Sequence, residues 1–358
     1  MGQDLLPDTT VLSTIFPNST PASVDVVSKT WTICTAKVHF DTAPAPHMPQ
    51  DLIVRLETST GKLASVTVLE DLARMYIPSL VPHSYGVGQA TTADGRAIEY
   101  SLTEFVTGTE PLETVWPQLD ITQKEDLMDA IVAAIKKLQG PLDSPQPHKN
   151  IRELLTDFIS QHQFKKSATS SLTQTSDGIT LTSALSSIDP ISFTTEDLQA
   201  LNDCAVFCHN DLEPRNVLVH RDPSGTYTLA AIIDWELAGT FPFAFESAFK
   251  DASFGQSNLH YDWYVLYKQK TRALIAPGDA SQKLVKAVQL IFDSRRLQWK
   301  RNVGEEFRRR WMEREGVEMG VDGWVKGESA REWRFDGREN EELMKWVLGD
   351  FGIIPWKG

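Results

Sequence analysis

Apolar and polar positions alternate with a period of two along much of the first hundred residues. "SVDVV" (Ser23–Val27) and "TICTAKVHF" (Thr32–Phe40) are β-branched runs about a short polar break, "SKTWT", and predict antiparallel strands. "APAPHMPQ" then interrupts with three prolines, which a central strand does not tolerate. "DLIVRLE" (Asp51–Glu57) predicts a third strand. In "KLASVTVLEDLARMY" (Lys62–Tyr76), Leu63, Val66, Leu69, Leu72 and Ala73 fall on one helical face. "AIEYSLTEFVTG" (Ala97–Gly108) returns to strand and ends on a glycine-containing turn.

From about Thr122 the period becomes helical. "TQKEDLMDAIVAAIKKLQG" spaces Leu127, Ile131, Ala134, Ile135 and Leu138 as one face, and Gly140 and Pro141 stop it. "NIRELLTDFISQH" (Asn150–His162) predicts a second amphipathic helix. Lys165 to Thr195 is rich in Ser and Thr with few large apolar groups, and is expected to be a mobile insert, a lid or a plain loop. "AVFCHNDLEPRNVLVHRDPSGTYTLAAIIDWE" reads as loop, strand, turn, strand, with "DPSG" as the turn. Helices follow in "HYDWYVLYKQKTRALI" and "SQKLVKAVQLIFDSRRLQWKRN". Residues 300–342 are densely charged, with Trp311, Trp324 and Trp333 spaced as aromatic anchors. The interleaved charges of "EEFRRRWMERE" predict a solvated helix face.

A chain of 358 residues can bury a full core and supports two lobes. Its 48 acidic against 35 basic side chains, a net charge of −13, argue against nucleic acid or an anionic membrane as the main partner. Three cysteines cannot all pair, and Cys204 and Cys208 lack the clusters of a zinc site, which predicts reduced thiols inside the cell. No basic-then-apolar leader is present, and no apolar run approaches the roughly 18 residues of a membrane span. A soluble, cytoplasmic protein is expected.

The chemistry concentrates in one region. "FCHNDLEPRN" supplies Asp211 and Asn216 just ahead of one apolar run, and Asp234 ends the next, in "AIIDWELAG". Two carboxylates and an amide are hard oxygen donors, which suit Mg²⁺ better than a soft metal. Asp234 is the principal metal ligand in this reading and Asn216 the second. Asp211, five residues before Asn216, is left to take a proton from an acceptor hydroxyl. That division of labour is the one used in kinase-type phosphoryl transfer. Single turn acids can be satisfied by local backbone, but that does not account for the joint spacing.

"HNDLEPRN" followed by "IIDWE" and then "FPFAFESAFK" resembles the aminoglycoside phosphotransferase and choline kinase family, and most closely its fungal-type subset. The resemblance runs from about Ser23 to Leu266. It implies an α+β, protein-kinase-like fold with a small antiparallel-sheet lobe over residues 1–106 and a mainly helical lobe over 107–358. It also implies an ATP- and Mg²⁺-dependent transfer of phosphate to a hydroxyl of a small molecule. Within it, Asp211 is the base, Asn216 and Asp234 hold Mg²⁺, and His209 holds the loop. Arg55 stands at the phosphate-binding position of the small lobe, and Glu104 and Val106 flank the adenine with backbone groups.

Three departures go with it. "SKTWT" contains no glycine, so Lys29, with Ser28, Thr30 and Thr32, takes the part of the phosphate loop. Position 55 is Arg where the family has Lys, a planar fork in place of a point charge. The helical Glu that pairs with that cation falls at Ser65, and Glu70 is set on another face, so Arg55 is expected to lack that partner and either to find another acid or to remain mobile. These departures keep open a non-catalytic binder, or the same fold turned to another reaction on a small metabolite.

Overall fold

The computed structural model describes residues 4–58, 61–140, 150–161, 169–253, 261–294, 306–307, 309–314, 316–320, 323–326 and 337–352. Contacts divide the chain into two compact units, Met1–Val115 with Leu212–Leu237, and Trp116–Asp211 with Ala238–Gly358.

The first unit is built on five antiparallel strands: β1 (Ser23–Lys29), β2 (Ile33–His39), β3 (Asp51–Thr58), β4 (Ser84–Thr91) and β5 (Ala97–Glu104). Their order across the sheet is β1-β2-β3-β5-β4. Side chains alternate between faces, so β3 sends Leu52, Val54 and Leu56 into the core and keeps Ile53, Arg55 and Glu57 on the other side. The core face is completed by Val38, Ile98 and Leu102 and covered by Val11 and Ile15 of α1 (Thr9–Ile15). Asp8 caps α1, accepting the Val11 N–H at 2.9 Å. The predicted strands and the helix α2 (Lys62–Tyr76) are present, whereas α1 and β4 were not legible. β4 reads "SYGVGQAT", an edge strand with two glycines and little apolar alternation.

α2 buries Leu63, Val66 and Ala73. Gly61 precedes it at φ 71 and brings no side chain to cap its first N–H groups. Glu99 of β5 reaches in their direction and accepts the Leu63 N–H at 3.4 Å. The same unit holds the hairpin of Val217–Arg221 and Tyr227–Ile232, with Thr109–Pro111 paired to its outer side. Its "DPSG" turn closes as expected, the Asp222 N–H donating to the Thr226 carbonyl at 2.9 Å.

The second unit is mainly helical. Helices over Ile121–Leu138 and Ile151–Gln161 bury the predicted faces, Leu127, Ile131, Ile135 and Leu138 in the first. The expectation for Lys165 to Thr195 is overturned over its described part, residues 169–195; residues 165–168 lie outside the described residues. Ser170–Thr175, Gly178–Ser183 and Ile191–Thr194 form a three-stranded antiparallel meander. Its few apolar residues suffice because they alternate: Ile179, Leu181 and Phe193 enter a core with Phe158, Phe245, Leu284, Val288 and Ile291. The Ser and Thr positions between them stay outside, where Ser171 pairs with Thr182 and Thr180 with Ser192 across strands.

Near the C-terminus Trp311 is buried with Tyr264, Phe307, Leu343 and Val347, which makes it an anchor as expected. The side chain of Trp324, and Trp333 altogether, lie outside the described residues. Arg309 bridges Glu306 and Glu313 on an exposed helix face. All three cysteines are free thiols. Among the described residues no helix is long and apolar enough to cross a membrane.

The meander can be tested directly. Leu181→Ala removes a fully buried side chain and should lower unfolding stability by about 2–5 kcal/mol in a denaturant titration. A change of less than about 0.5 kcal/mol is what a solvated loop would give.

Candidate active site

The hairpin brings Asn216 and Asp234 together. Val217 pairs with Ile232 at its open end, and the ladder is extended by the Ile233 N–H donating to the Asn216 carbonyl at 2.9 Å. Asn216 and Asp234 therefore flank the last rung, one on each strand. Asn216 is buried and ends a single turn of 3₁₀ helix begun by Pro214. Asp234 has φ 66, a left-handed conformation that Asp tolerates better than most residues. The reversal turns the chain out of the strand into a second 3₁₀ turn, Trp235–Leu237. Trp235 pins that turn, buried with its indole N–H on the Ile232 carbonyl at 3.0 Å.

Arg55 meets this turn from β3. Its guanidinium donates to Glu57 at 2.8 Å, to Asp234 at 3.3 Å and to Glu236 at 2.7 Å. Lys62, the first residue of α2, donates to the same Glu236 oxygen at 2.7 Å. Burial disfavours the Glu236 charge, but the Lys62 hydrogen bond and the Arg55 charge outweigh it and hold its carboxyl below the usual range. Arg55 responds the same way: burial weakens it, and Glu57 and Glu236 more than restore its proton affinity.

Of the two expectations for Arg55 without the helical Glu, the first holds: it finds another acid. Its partner is Glu57, two residues along the same strand and only 4% exposed. Positions two apart share a strand face, so period-two reading of β3 already contained the pair. Ser65 is exposed, whereas Glu70 is half-buried and within electrostatic reach of Arg55 and Asp234. Burial raises the Glu70 carboxyl to about 7, with Arg74 offsetting part of the effect. Glu57, Glu70, Glu236 and Lys62 are the site neighbours that motif reading missed.

The remaining candidates are more dispersed. Lys29 ends β1 and is exposed, with its ammonium 3.5 Å from Asp4. Thr30 is occupied with its own turn, accepting the N–H groups of Thr32 and Ile33 at 3.2 and 3.0 Å. Glu104 closes β5 and gives its N–H to the His83 carbonyl at 2.8 Å. The Val106 carbonyl accepts the Thr109 hydroxyl at 2.7 Å, while the Val106 N–H meets no protein acceptor among the described residues.

Asp211 closes a segment of the second unit. The loop before it is held by Glu246, whose carboxylate accepts the N–H groups of His209 at 3.0 Å and Asn210 at 3.3 Å. The Tyr267 hydroxyl completes that carboxylate at 2.6 Å. Asn210 takes φ 62, and the Asp211 N–H donates to His209 Nδ1 at 3.2 Å. His209, 2% exposed, thus spends its ring on the loop. Burial and the nearby Glu246 push the Cys208 thiol well up, so it stays protonated.

Among the described residues no three His, Cys, Asp or Glu side chains are grouped to hold a metal. One carboxylate and one amide, Asp234 and Asn216, are a hard-oxygen pair that fits Mg²⁺, an ion that keeps phosphate and water among its ligands.

Glu70 gives this cluster a pH signature. Its carboxyl sits at about 7 when folded against a usual 4.5, so the unfolded chain gives up this proton first as pH rises. The stability it contributes is complete below the usual value and lost as pH climbs through about 7. Glu70→Gln should match the parent's stability in acid and exceed it by roughly 2–3 kcal/mol at about pH 8. A pH-independent difference between the two melting curves would mean that Glu70 is well solvated.

With this geometry in hand, relatives give it a context. A family model described as the phosphotransferase enzyme family (APH) matches residues 50–249. No curated protein matches. Among solved structures the chain is similar to a microcompartment-associated aminopropanol kinase, at 14% identity over 96% of this chain and 95% of that one, with a TM-score of 0.43. It is also similar to an ADP-bound aminoglycoside phosphotransferase, APH(2'')-Ib, at 11% identity over 80% of this chain and 97% of that one, with a TM-score of 0.43. The family match covers more than half of the sequence and takes in Arg55, Glu57, Asp211, Asn216, Asp234 and Glu236. This α+β chain belongs to the phosphotransferase enzyme family.

Proposed function

We propose that the protein is an ATP- and Mg²⁺-dependent phosphotransferase that moves the γ-phosphate to a hydroxyl of a small metabolite. The observation that carries this reading is the Asp234–Arg55 contact beside Asn216, which joins a carboxylate, an amide and a guanidinium at one strand end. Oxygen donors for a divalent ion and a fixed cation for phosphate oxygens are what this chemistry requires of its protein.

In the reaction, a bond forms between the acceptor oxygen and the γ-phosphorus as the bond to the ADP oxygen breaks. Asp211 takes the hydroxyl proton and orients that oxygen. Asn216 and Asp234 would hold Mg²⁺, which would supply neutralisation of the phosphate charge. Arg55 binds phosphate from β3, and Lys29 with the hydroxyls of its turn does so from the end of β1. The Val106 N–H and the backbone of Glu104 face the adenine. Its "HNDLEPRN" and "IDWELAG" signatures support a reading as a member of the fungal-type subset of its family. It acts in the cytoplasm on a free small molecule, and its net charge of −13 disfavours nucleic acid or membrane as partner.

Binding and turnover separate the roles. Asp234→Asn should abolish Mg²⁺-dependent nucleotide binding measured by calorimetry. Asp211→Asn should bind nucleotide as the parent does and lose about a hundredfold or more of its turnover against a panel of small alcohols. Parent-like turnover in Asp211→Asn would remove the proposed mechanism.

A further inference from the structure

Ahead of α1 the chain runs against the turn that joins β1 to β2, and both belong to the first unit. Leu5 fixes the approach. Its side chain is fully buried in the core with Val11, Phe16 and Cys34, and its N–H donates to the Thr30 carbonyl at 2.8 Å. Further along, Asp8 caps α1 with one oxygen and accepts the Ala93 N–H with the other, at 2.8 Å. Arg96 joins the segment to the turn, donating to the carbonyls of both Asp4 and Trp31 at 3.5 Å. Asp4 is therefore placed by its neighbours, whatever its own side chain does.

The turn itself is closed. Its Thr30 N–H donates to the Ile33 carbonyl at 2.7 Å, and its Thr32 carbonyl accepts the Thr58 N–H at 2.9 Å. Loops that grip phosphate do so with backbone N–H groups. Here the N–H groups of Thr32 and Ile33 are already spent on the Thr30 hydroxyl. Lys29 is the one charged residue of "SKTWT", so its ammonium is what draws a phosphate to this turn. That ammonium lies 3.5 Å from the Asp4 carboxylate.

The pair is weak enough to be exchanged. Both side chains are 48% exposed, and ion pairs in that setting shift an equilibrium by a factor of about five or less. A triphosphate brings several charges to a cation that Asp4 meets with one, and wins the competition.

We infer that Asp4 is an intramolecular competitor of the nucleotide phosphates, pairing with Lys29 when no nucleotide is bound and yielding it to ATP. This rests on the phosphotransferase reading above, in which Lys29 binds phosphate. Asp4 is thus a regulating residue that lowers nucleotide affinity through Lys29 and touches neither nucleotide nor acceptor. The segment stays in place when Asp4 lets go, because Leu5 and Asp8 hold it independently of the ion pair.

Calorimetry on the full chain, with ATP and Mg²⁺ and separately with adenosine, tests this in the parent, Asp4→Asn, Lys29→Met and the double variant. Asp4→Asn should bind ATP about two- to fivefold more tightly than the parent, with adenosine unchanged. Lys29→Met should weaken ATP by about tenfold, again with adenosine unchanged. Adding Asp4→Asn to Lys29→Met should then alter nothing, because the two residues act as one pair. An ATP affinity in Asp4→Asn equal to the parent's, or below it, would reduce the contact to a surface ion pair and overturn the inference. Equal tightening in the Lys29→Met background would also overturn it, since Asp4 would then act as a general negative charge. A parent that does not bind ATP at all would remove the phosphotransferase reading and this inference together. A parent that binds ATP, with variants that fail the pattern, removes the inference alone.

Discussion

One guanidinium ties the candidate site together. Arg55 bonds Glu57 beside it on β3, Asp234 at the end of the hairpin and Glu236 in the turn that follows, while Lys62 brings the start of α2 to the same Glu236. Removing Arg55 would strand Glu57 at 4% exposure, a loss on the order of 3–5 kcal/mol for a buried pair. A well-packed apolar replacement of the whole group could be as stable, so stability alone does not explain it. The group does fix positions: it fastens β3 to a strand end whose Asp234 backbone is left-handed, at a cost of about 1–2 kcal/mol. Glu57, Asp234 and Glu236 about two cations also leave this group with one negative charge in excess.

The second unit solves a comparable problem with neutral donors. Glu246 is 2% exposed and is satisfied by two backbone N–H groups and the Tyr267 hydroxyl. The loop reaching Asp211 is thereby held from behind, with His209 closing it from within. The next residues of the same two helices, Ser247 and Lys268, bond to one another.

Most of the fold was legible where periodicity was strong. The helix over Ile121–Leu138 buries the residues its spacing predicts, and the "DPSG" hairpin forms because an apolar run flanks each side of a turn signal. The Ser- and Thr-rich meander was missed because composition was weighed over alternation: Leu172, Ile179, Leu181 and Phe193 are few but regularly placed. β4 was missed for the opposite reason, since an edge strand needs little apolar surface. At the site, the spacing of Asp211, Asn216 and Asp234 was readable because it is local to one hairpin and its approach. Of the partners of Arg55, Glu57 is contained in the strand period, whereas Glu236 lies 181 residues away and reaches it only through the fold. Glu70 escaped because its setting depends on burial, which an alignment by spacing does not register.

The account stands most directly on what Arg55 contacts. Of the nucleotide, Arg55 is proposed to touch only the phosphates, so affinities for ATP and for adenosine, measured by calorimetry in the parent and in Arg55→Ala, separate its role from any general damage. ATP binding should fall about tenfold or more, with adenosine binding unchanged. Equal losses for both ligands, or an unchanged ATP affinity, would contradict the assignment of Arg55 and of the acidic cluster built around it.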